Sequence, residues 1–223
     1  MAKRKQESYR KLIITCICTF IALLFPYHLT AKTFEYKGNG KELANKDGRA
    51  DSMLVCQLRH KGISFSHNNS VTLLCTGQEK FDDLFKAIDQ ARSSIHLEYF
   101  NFRNDSINDE LIHHLEKKVR QGVEVRAIFD GFGNASNNQP MKKSTLRAIR
   151  KKGIEIYEFK PIEFPWIHDI FNRDHRKIVI IDGKIAYTGG MNVADYYIKG
   201  TKVVGSWHDM HCRIEGDEVN TLQ

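Results

Sequence analysis

The chain has 223 residues, enough for one domain or one and a half and enough to bury a real core. Hydrophobic residues at 41% with only 4 Pro exclude a disordered chain, 27% charged residues exclude a polytopic membrane protein, and 5 Cys exclude a disulfide scaffold. The net charge of +7, from 34 Lys+Arg against 27 Asp+Glu, invites an anionic partner, and its position matters more than its sum.

Much of that charge sits at the front. Lys3, Arg4, Lys5, Arg10 and Lys11, less Glu7, leave +4 in the first eleven residues and +3 for the rest. The basic stretch abuts LIITCICTFIALLF, residues 12–25, which continues more weakly through PYHLTA to Ala31. This is a targeting or anchoring pattern, not a nucleic-acid contact. The strongly apolar run is short of the roughly 20 residues that span a bilayer. Counting on to Ala31 reaches that length. Residues 1–31 are therefore expected to be a transmembrane anchor or a cleaved signal ending near Leu29-Thr30-Ala31. A single anchor keeps the N-terminus cytoplasmic and places the remainder outside.

Residues 32–69 read as a polar juxtamembrane linker with some order near 53–58. Cys16 and Cys18 lie in the apolar run; a Cys56–Cys75 bridge is open on spacing. From Ser70 the pattern changes. Residues 71–75 read as a strand, Thr76-Gly77 as a turn and 79–91 as a helix, with Phe81, Leu84, Phe85 and Ile88 on one stripe. Residues 94–102 alternate as a strand. Asp105 or Ser106 caps a helix to about 121, with Ile107, Leu111, Ile112, Leu115 and Val119 inward and Gly122 after it. A strand at 123–129 precedes a polar loop from Asp130 to Gln139. Residues 141–152 form a basic helix ended by Gly153, and 153–159 another strand. This alternation predicts an α/β layered domain with a mixed, largely parallel β-sheet flanked by helices. The basic helix is a solvated face, or a patch for anionic headgroups or nucleic acid.

One segment carries chemistry. Residues 179–181, Asp182-Gly183 and 184–187 read as a β-hairpin with a two-residue turn. His175 and Lys177, two apart, project on one strand face. A Lys beside a His disfavours the imidazolium and leaves a nucleophilic nitrogen. Such a pair suits a phosphate, with Lys177 on the non-bridging oxygens and His175 attacking phosphorus or moving a proton. Asn192, after Gly189-Gly190, supplies a further donor to those oxygens, and the glycines permit close backbone approach. Asp182, at odd spacing, does not share the face of His175 and suits a structural or orienting part. Asp209 is the better candidate to orient the imidazole.

The spacing His175-x-Lys177-x4-Asp182, followed by Gly189-Gly190-Met191-Asn192, resembles the signature of the phospholipase D superfamily. From about Ser70 onward the chain is similar to bacterial cardiolipin synthases. Leu97-Glu98-Tyr99-Phe100, residues 122–126, Asp130-Gly131-Phe132-Gly133 and Trp207-His208-Asp209 fall where that family has similar text. Family members usually carry two apolar N-terminal segments, and one is present here. The resemblance implies a phospholipase D-like fold forming one half of a pseudo-two-fold enzyme, with His175, Lys177 and Asp182 as its catalytic signature. It implies a ping-pong exchange without metal or other cofactor. One histidine attacks phosphatidylglycerol, a second protonates the departing glycerol, and another phosphatidylglycerol resolves the phosphohistidine to cardiolipin. The implied partners are phosphatidylglycerol and other anionic phospholipids, the membrane, and a second H-x-K half; nucleic acid is not among them. The implied location is the bacterial cell membrane.

Of the ten histidines, only His175 has Lys two residues on. Residues 211–216 read as a strand and turn, and the sequence from Asp217 stops after about one helical turn. Residues 70–223 are thus expected to be the first, C-terminally truncated domain of a two-motif enzyme, inactive alone. Two other readings stay open: a single-motif endonuclease active as a homodimer, and a membrane-tethered module that binds anionic lipids. His113-His114 and His168-Asp169 lack partners at metal-ligand spacing and read as surface residues. Trp166 reads as an interfacial aromatic or a loop contact.

Overall fold

A computed structural model describes residues 49–62, 68–161, 171–203 and 205–223. The anchor-or-signal segment 1–31, most of the expected linker, Trp166, His168 and Asp169 lie outside the described residues. Among the described residues no helix is long and apolar enough to cross a membrane. The chain divides after Gly62 into two units.

The first unit contributes one described helix, α1 (Arg49–His60). It is longer than the order expected near 53–58. Nothing in RADSMLVCQLRH breaks a helix, and Gly62 at φ 75° stops it. Cys56, Cys75 and Cys212 are all free thiols, so the Cys56–Cys75 bridge is not formed.

The second unit is built on seven strands: β1 (Ser70–Leu74), β2 (Ser94–Tyr99), β3 (Glu124–Asp130), β4 (Glu155–Phe159), β5 (Lys177–Ile181), β6 (Ile185–Gly189) and β7 (His211–Glu215). Their order across the sheet is β1-β7-β6-β5-β2-β3-β4. The helices are α2 (Gly77–Gln90), α3 (Ser106–Arg120), α4 (Gly131–Ser136), α5 (Lys143–Lys151), α6 (Tyr196–Lys199) and α7 (Val219–Leu222).

Local sequence explains most of these elements. Thr76 accepts from the Glu79 N–H at 3.1 Å, and the Glu79 carboxylate reaches back to the Cys75 N–H at 2.8 Å. This reciprocal pair starts α2. Asp105, not Ser106, caps α3. Phe81, Leu84, Ile88, Leu111 and Leu115 then bury against Ile95, Leu97, Val125, Val179 and Ile181 of the sheet. Each such side chain contributes about 1.5–3 kcal/mol by burial.

The sheet is mixed, as expected, but it is not largely parallel. Parallel pairing is confined to β2–β3 and β3–β4, and the other four pairings are antiparallel. The crossovers through α3 and through α4–α5 return the chain in the same direction, whereas β5–β6 is a hairpin and β7 lies back along it. The hairpin connection is one residue longer than a two-residue turn, because Ile181 pairs with Ile185. Asp182 and Gly183 both take positive φ there.

A second difference lies after β3. The polar loop expected from Asp130 contains the short helix α4, started by Asp130, whose carboxylate accepts from Phe132 and Gly133 N–H. Gly133 is required: a Cβ there would stand 2.0 Å from the Phe100 carbonyl oxygen.

Strand β5 is buried along its whole length. Val179 and Ile181 face the main core. Ile178 and Ile180 face a smaller cluster with Ala186 and Val219 on the opposite side. Both faces being covered places the start of β5 at the edge of two packed layers.

Candidate active site

The site begins where the chain enters β5. His175 precedes the strand and is exposed, while Lys177, its first residue, is only 4% exposed. The Lys177 ammonium donates to the His175 carbonyl at 2.7 Å. It also stands 5.4 Å from the centre of the Phe100 ring, and the His175 ring meets Phe100 edge-on at 4.7 Å. One aromatic side chain thus holds both candidate residues at the end of the sheet. Burial lowers the Lys177 pKa, and the charges of Asp174 and Asp209 oppose that shift.

Asn192 arrives beside them from beyond β6. It accepts from the Asn101 N–H at 3.1 Å, which fixes its carbonyl oxygen, and its amide nitrogen donates to the Tyr197 hydroxyl at 3.2 Å. The Asn192 side chain also engages the Tyr196 hydroxyl. Tyr197 packs with Tyr196 and Trp207, so the aromatic of the Trp207-His208-Asp209 run supports this side of the site.

The two glycines do what close approach requires. A Cβ at Gly190 would stand 2.0 Å from an Asp209 carboxylate oxygen, and one at Gly189 would stand 2.7 Å from the His211 ring. Asp209 is therefore held near Lys177. Among the described residues it makes no hydrogen bond to the His175 imidazole, and one of its oxygens takes the Met210 N–H.

Asp182 is not brought to this end. It lies just past the far end of β5, roughly 16 Å along the strand at about 3.3 Å per residue. Its carboxylate accepts from the N–H groups of Arg92, Ser93 and Ser94, at 2.7–3.1 Å, and from the Ser93 hydroxyl. Burial raises its pKa, but these donors outweigh that and hold it below the ordinary value. This geometry suits the structural or orienting part read from its spacing: Asp182 ties the hairpin to the start of β2.

Several residues were missed by sequence reasoning. Asp130 is fully buried and accepts from the Asp174 N–H at 2.8 Å and from Arg173 at 3.4 Å, pinning the peptide before His175. Arg176 spans Glu98 at 2.6 Å and Asp174 at 3.3 Å. Glu98 and Asp174 lie close together, and burial together with Asp174 pushes Glu98 up to about 7. These groups line an open groove of about 370 Å³ beside His175. On the core side, Lys80 and His211 are wholly buried. Nothing in the spacing of Glu98, Asp130 or Lys80 marks them; each becomes visible only once the strands are ordered.

The basic helix α5 is partly spent on the fold. Arg150 donates to the Ile156 carbonyl and Lys152 pairs with Glu116, while Lys142, Lys143 and Arg147 face solvent. Likewise His114 stacks on Phe85 and pairs with Asp89. Among the described residues no group of three or more His, Cys, Asp or Glu side chains is arranged to hold a metal ion.

A family model described as "Cardiolipin synthase, PLD-like domain" matches residues 84–202. Cardiolipin synthase 2 of Staphylococcus epidermidis is 39% identical over 188 residues, which cover 84% of this chain and 37% of that protein. Cardiolipin synthase of Staphylococcus aureus is 40% identical over 172 residues, 77% of this chain and 34% of that one. The chain thus spans a little over a third of the length of these relatives. Among solved structures, the phospholipase D family member Nuc from Salmonella typhimurium superposes with a TM-score of 0.51 at 17% identity, covering 70% of this chain and 90% of Nuc. Phosphatidylserine synthase from Haemophilus influenzae gives 0.56 at 13% identity, covering 68% and 34%. Both likenesses are of fold.

Proposed function

Because the chain belongs to the cardiolipin synthase, phospholipase D-like family, we propose that it carries one half-site of a phosphatidyl transferase that joins two phosphatidylglycerol molecules. The observation that carries this reading is the Lys177 ammonium, buried along its stem and held at the His175 backbone beside an exposed imidazole. A phosphodiester laid against this pair finds a fixed positive charge and a free ring nitrogen. Asn192, held beside the pair by Asn101 and Tyr197, is the amide read from the sequence as a further contact to the same oxygens.

In the proposed reaction a ring nitrogen of His175 forms a bond to phosphorus as the bond to the glycerol oxygen breaks. The glycerol leaves with a proton from a second histidine. A hydroxyl of another phosphatidylglycerol then attacks phosphorus, gives its proton to the now neutral second histidine, and displaces the His175 nitrogen as the P–N bond breaks. Lys177 stabilises the charge that builds on the non-bridging oxygens in both steps. The second histidine requires a second H-x-K half, from a longer chain or a second copy. Asp209 acts through Lys177, whose charge it supports, in place of the direct bond to His175 expected from sequence. The basic cluster and apolar run of residues 1–31 support attachment to a bacterial membrane, where this substrate resides.

The test is incubation with labelled phosphatidylglycerol, with the chain alone and with a second H-x-K half supplied. Cardiolipin and glycerol are expected in the second case; product from the chain alone would make a second copy the source of the second half. Cardiolipin formed equally well by the His175→Ala variant of the completed enzyme would remove His175 from the mechanism.

A further inference from the structure

Behind Lys177 lies a set of nitrogen bases that the proposed reaction does not use. Tyr99 pairs with Lys177 across β2–β5, and Gly189 pairs with His211 across β6–β7. Since Ile178 is opposite Thr188, Lys177 and Gly189 are neighbours in the same row. Four strands therefore bring Tyr99, Lys177 and His211 to one face, with Gly189 as the gap between the last two. Lys80 of α2 comes down onto this row. Its ammonium nitrogen stands 3.7 Å from the centre of the Phe81 ring and 5.1 Å from that of Tyr99.

Lys80, Tyr99 and His211 are each wholly buried. The Lys80 nitrogen, the Tyr99 hydroxyl and both His211 ring nitrogens make no hydrogen bond among the described residues. A buried ammonium with no carboxylate against it is strongly disfavoured. Lys177 stands in the same row on β5, where the charges of Asp174 and Asp209 act on it. Asp83, one turn along α2, is engaged by Tyr187 of β6 and Arg213 of β7. Tyr197 of α6 acts on Tyr99. Burial holds the Lys80 pKa well below the usual lysine value, and burial, with the neighbouring cations, lowers that of His211. Lys177, with its head at the site, is the member of the trio placed to carry charge.

We infer that Lys80 is a proton acceptor built behind the phosphodiester site, so that an anion docking at Lys177 draws a proton from solvent onto Lys80. This rests on the reading of the site as one for phosphodiesters. The docked anion cancels the field of Lys177 and adds its own, and the Phe81 and Tyr99 rings flank the new ammonium. Lys80 is a positioning residue here: it touches no substrate and acts through the charge it returns to the row. Linkage then makes binding tighten as pH falls, by at most about tenfold per pH unit for one coupled proton.

The experiment is calorimetric titration of the full chain with glycerophosphoglycerol, a diester with no proton of its own to exchange near neutrality. It is run at pH 8 in two buffers of different ionisation enthalpy. Up to one proton taken up per diester bound is expected, and lost in Lys80→Met. Lys80→Met is also expected to raise Tm, because it removes an unpartnered buried amine. Binding without proton exchange, or uptake that survives in Lys80→Met, would each overturn the inference. Failure of the diester to bind at all would overturn the site reading beneath it. Should Lys80→Met not fold, the nitrogen resonance of Lys80 in lysine-labelled wild-type protein decides. A move from amine to ammonium on adding diester supports the coupling, and an unmoved resonance refutes it.

Discussion

The Lys177 ammonium donates to the carbonyl oxygen of His175, 2.7 Å away, so the motif's cation is anchored by the backbone of the motif's own histidine. Spacing alone put the two on one strand face. The structure joins them more tightly, because any shift of the His175 peptide moves the charge as well.

Lys177→Met keeps the buried stem and removes the charge. In the completed enzyme it is expected to slow phosphatidyl transfer by about 10²–10³-fold, the scale for losing one preorganised donor at a developing oxyanion. Lys177→Arg is not expected to rescue it, since a planar fork does not fit a slot shaped for a compact ammonium. Initial rates with labelled phosphatidylglycerol check both; a rate within threefold of wild type in Lys177→Met would remove the residue from the chemistry.

Asp182→Asn tests the structural role of the motif's third member. The variant loses a carboxylate that takes three backbone N–H donors, and a stability loss of about 1–3 kcal/mol is expected. Its depressed folded pKa gives the sign with pH. The contribution is present above the unfolded carboxyl value of about 3.9 and is lost as pH falls through the folded one. Urea titrations at pH 7 and pH 3 are expected to show a large difference between wild type and variant at pH 7 and a smaller one at pH 3. Diester affinity is expected to stay near wild type.

Asp182 also marks how far sequence carries. Its odd spacing from His175 was enough to deny it the same face, and the alternation of Ile95, Leu97 and Tyr99 was enough to place β2. The α2 stripe was legible for the same reason, and the α3 cap to within one residue, Asp105 or Ser106: each is a local pattern. The helix α4 was not, because its residues GFGNAS have poor helix propensity and are held by the Asp130 cap and by packing against Phe100. The antiparallel share of the sheet was hidden because strand order is set by long-range pairing. The Glu98–Asp174 contact and the Lys80–His211 row were hidden for that reason too. Their members stand 76 and 131 positions apart in the chain.

Glu98 predicts a pH signature. It holds its proton to about pH 7 in the folded chain, against about 4.3 for an ordinary glutamate. Between those values the folded state binds the extra proton, so stability falls as pH rises through that window. Tm is expected to decline from about pH 5 to 7 in wild type. Glu98→Gln is expected to remove that slope, because its amide stays neutral beside Asp174. A Tm series that is the same for both proteins would place the shared proton elsewhere.

Asp130→Asn separates holding the fold from holding the site. Asp130 and Asp182 each collect backbone N–H groups, but at opposite ends of the architecture. The Asp130 carboxylate joins the start of α4 to the Asp174 N–H, one residue before His175, and faces Arg173. An asparagine there turns one acceptor into a donor aimed at N–H groups and removes the Asp130 charge from the Arg173 pair. The buried position makes this expensive, about 3–5 kcal/mol. The loss is expected to reach the chemistry as well, because the peptide it frees leads directly into the histidine whose carbonyl anchors Lys177. Urea titration and diester calorimetry on the two variants side by side give the contrast. Asp182→Asn should lose stability with affinity kept, whereas Asp130→Asn should lose both, by tenfold or more in affinity at a urea concentration where it is still folded. Equal affinity in the two would mean that the His175 peptide is held by β5 pairing and not by Asp130.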